Sequence, residues 1–255
     1  MGGDDGVGFE RSRSVGEILA ATVGLYRRFP LLFAVLAVAV IAPYKLIVLA
    51  ITGHGPLWRG RQSTGTSWLL LLLETSLITP LVSALHVHAV DTIGQGRRPR
   101  LGPIALRGAR ALPVVVAAEI MANIGIALGF IALIIPGILL MLRWAVVAQA
   151  AALEHGSWLD ALRSSRRLTR NRYGHVFGLL LVTVALGFVL YLVARSVPLG
   201  NSAHAPSVVA GIALATVVAS FSALTFAVLY FDLRARESET PRQAPREYQQ
   251  LRDLD

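Results

Sequence analysis

The chain of 255 residues contains no cysteine, only one lysine (Lys45) and few acids, 15 Asp+Glu against 24 Lys+Arg. Without cysteine there is no disulfide scaffold, no thiolate metal site and no thiol chemistry. Charged residues make up 15% of the chain, where a soluble domain carries about a quarter. That deficit excludes an ordinary cytosolic domain, and the apolar richness excludes a disordered chain. Catalytic signatures are also missing. No glycine-rich run precedes Lys45 to make a P-loop, and neither H-E-x-x-H nor G-x-S-x-G occurs. No interleaving of aromatic and basic residues points to nucleic acid. No metal or other cofactor is expected: His86 and His88 point about 200° apart on a helix and cannot share one ion.

What the sequence has in quantity is apolar length. Hydrophobic residues reach 55% and the mean hydropathy is +0.61. A spanning helix needs about 20 mostly apolar residues. Six segments meet that need: Leu31–Thr52, Trp68–Val90, Leu112–Ile135, Ile138–Glu154, His175–Val197 and Pro206–Phe231. The third and fourth are one long apolar stretch, split at Pro136-Gly137, where proline removes a donor and glycine permits a turn. The fold expected is an all-α bundle of six transmembrane helices. Residues 1–30 form a cytoplasmic N-terminal segment, 31–231 the membrane domain, and 232–255 a cytoplasmic, disordered tail. Thirty mostly polar residues before the first span do not resemble a signal peptide, so that span is expected to remain.

Arginine sets the orientation. Four arginines lie in the N-terminal segment, five in the 91–111 loop, five in 156–174 and five in the tail. The opposite side holds only Arg59, Arg61 and Arg195. By the positive-inside rule both termini are cytoplasmic. Basic amphipathic segments precede spans 1, 3 and 5: Val15–Arg28, Pro103–Ala111 and Ser157–Arg172. The last has a capping pattern, Ser157 with Asp160, and sets Trp158, Leu162 and Leu168 apart from Arg163, Arg166, Arg167 and Arg170. Such helices lie in the bilayer interface, and these arginines are candidates to face anionic lipid headgroups. The alternative is a solvated connector that only sets topology.

Four ionisable residues stand inside spans: Lys45, Glu74, Glu119 and Arg143. Counting 1.5 Å per residue from the expected span ends puts Lys45, Glu74 and Arg143 at about one depth. They form a candidate buried ionic cluster of net positive charge. Glu119 is a candidate partner of His86 or His88 in the inner leaflet. Intramembrane charges mark ion, proton or lipid paths, or serve as structural pairs that fix helix register; both readings stand. Stripes of small residues, Gly211/Ala215/Ala219/Ala223/Ala227 and Ala122/Gly125/Gly129/Ala132, suit close helix packing.

The order of several short motifs resembles one family. Ile135-Pro136-Gly137, Arg143-Trp144, Glu154, Ala161-Leu162 with Ser164, Leu168, Thr169 and Arg170, and Tyr230-Phe231-Asp232-Leu233-Arg234 are similar to bacterial glycerophosphoryl diester phosphodiesterase membrane-domain proteins. So is Gly96-Arg97-Arg98-Pro99. The similarity covers roughly residues 15–236. It implies a multi-pass inner-membrane protein. The soluble TIM-barrel phosphodiesterase of that family, typically about 250 residues, has no counterpart in the 24 residues after Phe231. The chain is therefore expected to be non-catalytic, an accessory or envelope/lipid-related factor. The alternative is a small transporter or lipid-handling protein using Lys45, Glu74 and Arg143. One departure from the pattern is Gln149, where many relatives have proline.

Overall fold

A computed structural model describes residues 13–56, 63–154, 156–196 and 204–239. Among these residues there are ten α-helices and no strand. Arg59, Arg61, the arginines of the tail beyond 239 and Arg11 lie outside them. Six helical segments are long and apolar enough to cross a membrane: Pro30–Thr52, Gly65–Gly94, Leu101–Ala132, Ile134–Leu153, Tyr173–Val193 and Ala205–Glu239. The six-span, all-α expectation therefore stands.

Helix α1 (Val15–Arg28) starts on a capping box between Ser14 and Glu17 and carries Arg27 and Arg28 in its last turn. Acid at the start and base at the end both oppose the helix dipole. Phe29 separates it from α2 (Pro30–Thr52), which closes on the left-handed Gly53. The second span comprises α3 (Thr64–Leu73), a π turn over Glu74–Ile78 and α4 (Thr79–Gly94). Pro80 has no N–H for the Ser76 carbonyl, and a wider turn ahead of it absorbs the misfit.

Three expected boundaries change. No separate helix covers Pro103–Ala111, because α5 runs unbroken over Leu101–Ala132. Pro103 falls in the first turn, where a missing N–H loses no helical bond. The break between the third and fourth spans lies at Leu133, in extended backbone, and α6 (Ile134–Arg143) begins before Pro136 rather than after it. Proline in the first turn opens this helix instead of ending one. The last helix, α10 (Ala205–Glu239), continues eight residues past Phe231, so helix extends into the part expected to be a disordered tail.

The fourth span is itself two helices, α6 and α7 (Val147–Leu153), joined through Trp144–Val146. Small residues seat α6 on α5. A methyl group on Gly125 would lie 2.5 Å from the Trp144 ring, and one on Gly129 would lie 3.0 Å from the Gly137 backbone. Helix α8 (Trp158–Thr169) has the expected capping box, Ser157 with Asp160. Hydrogen bonds from the Ser157 hydroxyl and N–H hold the Asp160 carboxyl below its usual range. Asn171, in the left-handed region, turns the chain into α9 (Tyr173–Ser196). The long α10 packs against α4, α2, α1 and α9.

Candidate functional site

Between α2, the second span, α5, α7, α9 and α10 lies a cavity of about 570 Å³. Its polar lining includes Lys45, Glu74, Ser83, Glu119, Gln149 and Tyr191. One wall is the small-residue face of α10, with Gly211, Ala215, Ala219 and Ala223. The stripe that suggested close packing thus leaves room here, while Ala227 below it is fully buried. The volume is in the range of pockets that take small organic ligands.

Lys45 and Glu74 meet as expected. Lys45 Nζ donates to Glu74 Oε1 at 3.0 Å and to Oε2 at 3.1 Å. The Tyr44 hydroxyl stands 3.2 Å from the Leu70 carbonyl and 3.4 Å from Glu74 Oε2, so one proton is shared between two acceptors. Local structure aims this pair. Pro43 precedes Tyr44 within α2, and Glu74 opens the π turn, so both strands of the contact depart from a regular helix.

Arg143 does not join them, which corrects the three-charge cluster. It ends α6, and its carbonyl accepts from Ser165 Oγ and Thr169 Oγ1 of α8, each at 3.1 Å. Equal depth does not make neighbours: α6 packs on α5, α8 and α9 rather than on α2 or the second span. Glu119 takes the third place in the cavity wall. The described lining therefore has one basic and two acidic side chains, a formal excess of acid where an excess of base was expected.

The pairing of Glu119 with His86 or His88 is also not formed. His86 Nδ1 lies 2.8 Å from the Val82 carbonyl and Nε2 lies 2.8 Å from Ser220 Oγ. A carbonyl only accepts, so Nδ1 carries the proton and Nε2 accepts from the serine. The ring stacks on Phe33 with centroids 5.4 Å apart. His86 thus ties α4 to α10 and α2, away from Glu119. His88 lines a second cavity of about 630 Å³ with Asp91, Arg107, Arg110 and Glu154. Spans two and three are neighbours, but their polar faces diverge.

The three arginines of α8 and Arg170 at its C-terminal cap separate. Arg163 pairs with Asp160 at 3.5 Å and Arg167 with Glu237 at 2.8 Å. Arg166 and Arg170 are exposed. The buried face of α8 is Ala161, Ser164, Ser165, Leu168 and Thr169, and it packs against α7 and α5.

Three residues that the sequence marked only as points of the family pattern make buried contacts. Gln149, the departure from proline, is 2% exposed and donates from Nε2 to Ser83 Oγ at 2.7 Å. Glu154 Oε1 accepts from Ser164 Oγ at 2.8 Å and from Tyr230 Oη at 2.9 Å. Asp232, with no exposed surface, accepts from the Arg13 backbone N–H and from Arg236 Nε, the latter at 2.8 Å. His175 Nε2 stands 3.3 Å from the same carboxylate, and Arg236 donates to the Arg13 carbonyl. Among the described residues no group of three or more His, Asp or Glu could hold a metal ion. In comparison with known proteins, no family model, no curated protein and no solved structure matches the chain.

Proposed function

We propose that this multi-pass membrane protein is a non-catalytic, lipid-handling protein of a bacterial inner membrane, and that its cavity takes up one small amphiphilic molecule. The observation that carries this is the cavity itself: an intramembrane space of about 570 Å³, mostly apolar, with Lys45, Glu74 and Glu119 in its wall. A bundle that used these charges only to fix register would close around them. Intramembrane charges beside a cavity are the usual mark of a ligand path. We place both termini in the cytoplasm, on the arginine bias, with the exposed Arg166 and Arg170 near anionic headgroups. We also read the chain as a relative of the membrane region of glycerophosphoryl diester phosphodiesterase membrane-domain proteins. In support, the motif residues pair with one another, Arg143 with Thr169, and Glu154 at the end of α7 with Ser164 and Tyr230.

The test is equilibrium dialysis of the purified chain in dodecyl maltoside against tritiated decanol, with empty micelles as the partition baseline. Saturable binding near one decanol per chain is expected, and Ala219→Trp, which fills the cavity, should remove it. Uptake that rises linearly with decanol and equals that of empty micelles would overturn the proposal.

A further inference from the structure

The cavity has an unbalanced set of hydrogen-bonding groups. Lys45 and Glu74 neutralise each other at 3.0 Å. Glu119, about 20 Å from the C-terminal end of α5 by helix rise, has no ion pair and no hydrogen bond among the described residues. Gln149, in the same wall, commits its amide nitrogen to Ser83 and leaves Oε1 buried without a partner. Its side chain is almost wholly enclosed, so bulk water does not serve that oxygen. A buried acceptor left unmatched is costly. With Glu119 ionised, both unmatched groups accept, neither donates, and one is an anion.

The complement is a cation with several N–H donors. We infer that the cavity receives the primary ammonium head of an amphiphile, held by the Glu119 carboxylate and, once its side chain turns toward the head, by Gln149 Oε1, with the alkyl part along Val82, Leu214, Ala223 and Phe226. This rests on the reading of the cavity as an amphiphile site. A primary ammonium has three donors and one positive charge. A quaternary ammonium has the charge but no donor, an alcohol has one donor and no charge, and a carboxylate repels Glu119. The order of affinity follows from those differences.

The same dialysis decides it, with decylamine, decanol, decyltrimethylammonium and decanoate compared at pH 7 and each corrected for its own micelle partition. Decylamine should bind at least tenfold more tightly than decanol, about 1.4 kcal/mol, with decyltrimethylammonium between them and decanoate no tighter than decanol. Glu119→Gln should bring the amine-to-alcohol ratio to about one, and Gln149→Met should reduce it severalfold. Saturable binding of all four with no preference for the amine overturns the ammonium site and leaves the amphiphile reading standing. Absence of any saturable binding overturns both. Methylammonium binding as tightly as decylamine would overturn the amphiphile and identify a soluble amine. The wild-type ratio alone is decisive if either variant fails to fold.

Discussion

Replacing Asp232 by alanine should be the most damaging single polar substitution in the described part of this protein. The carboxylate has no exposed surface. It holds the Arg13 backbone N–H, the Arg236 guanidinium at 2.8 Å and the His175 ring at 3.3 Å. Those partners belong to the segment before α1, to α10 and to α9, so its removal loosens three elements. Breaking a buried charge pair by deleting one member costs about 3–5 kcal/mol. The Arg236 side chain is about a quarter exposed, so water repairs part of its loss and the lower end, about 3 kcal/mol, is expected. Asp232→Asn keeps the shape and one acceptor for Arg13 but drops the charge. It should cost about 2 kcal/mol, within the range for hydrogen bonds to charged groups. In a double-mutant cycle, Asp232→Asn with Arg236→Met should show coupling of about 1–2 kcal/mol. The assay is unfolding in mixed dodecyl maltoside–dodecyl sulfate micelles, followed by tryptophan fluorescence. A loss of no more than about 0.5 kcal/mol for Asp232→Ala, the level of an ordinary surface change, would refute the assignment of this contact as a structural junction.

Two further outcomes are expected. Glu74→Gln strands Lys45, whose side chain is 18% exposed within a span, and should cost at least about 1 kcal/mol; Glu119→Gln breaks no contact and should stay within about 0.5 kcal/mol, and equal losses would contradict the pairing. Reporter fusions at Gly65, Gly94, Gly156 and Asn201 should read outside, inside, inside and outside, and a periplasmic signal at Gly156 would reverse the proposed orientation.

The spans were legible because each apolar run is long and most are flanked by arginine, a local pattern that needs no tertiary information. Lys45 with Glu74 was legible for a related reason: successive spans run in opposite directions, and the count of helix rise puts both residues at one level. Arg143 defeated the same arithmetic, since depth says nothing of which helices are neighbours, and α6 packs on α5, α8 and α9. Glu119 was visible as a charge but not as a cavity residue, because which side of α5 faces empty space depends on how α7 and α10 pack. The two small-residue stripes show the same limit. In α5 the glycines admit Trp144 and Gly137, as close packing would suggest. In α10 the same residue types recede from their neighbours and line the cavity instead. Asp232 and Arg13 lie 219 positions apart, and no local pattern announces such a contact.

That contact between the two ends of the described chain bears on how the protein is made. A chain inserted from its N-terminus releases α1, α2 and α4 into the bilayer long before α10 is synthesised. Until then the Arg13 N–H has no carboxylate, His86 lacks Ser220, and Glu154 lacks Tyr230. The early spans wait with polar groups facing an unfilled slot, and the last span supplies their partners in one step. A ribosome stalled before α10 would therefore leave a chain with five spans threaded and its polar junctions open. That exposed surface is one by which a membrane protease can distinguish an unfinished chain from a finished one.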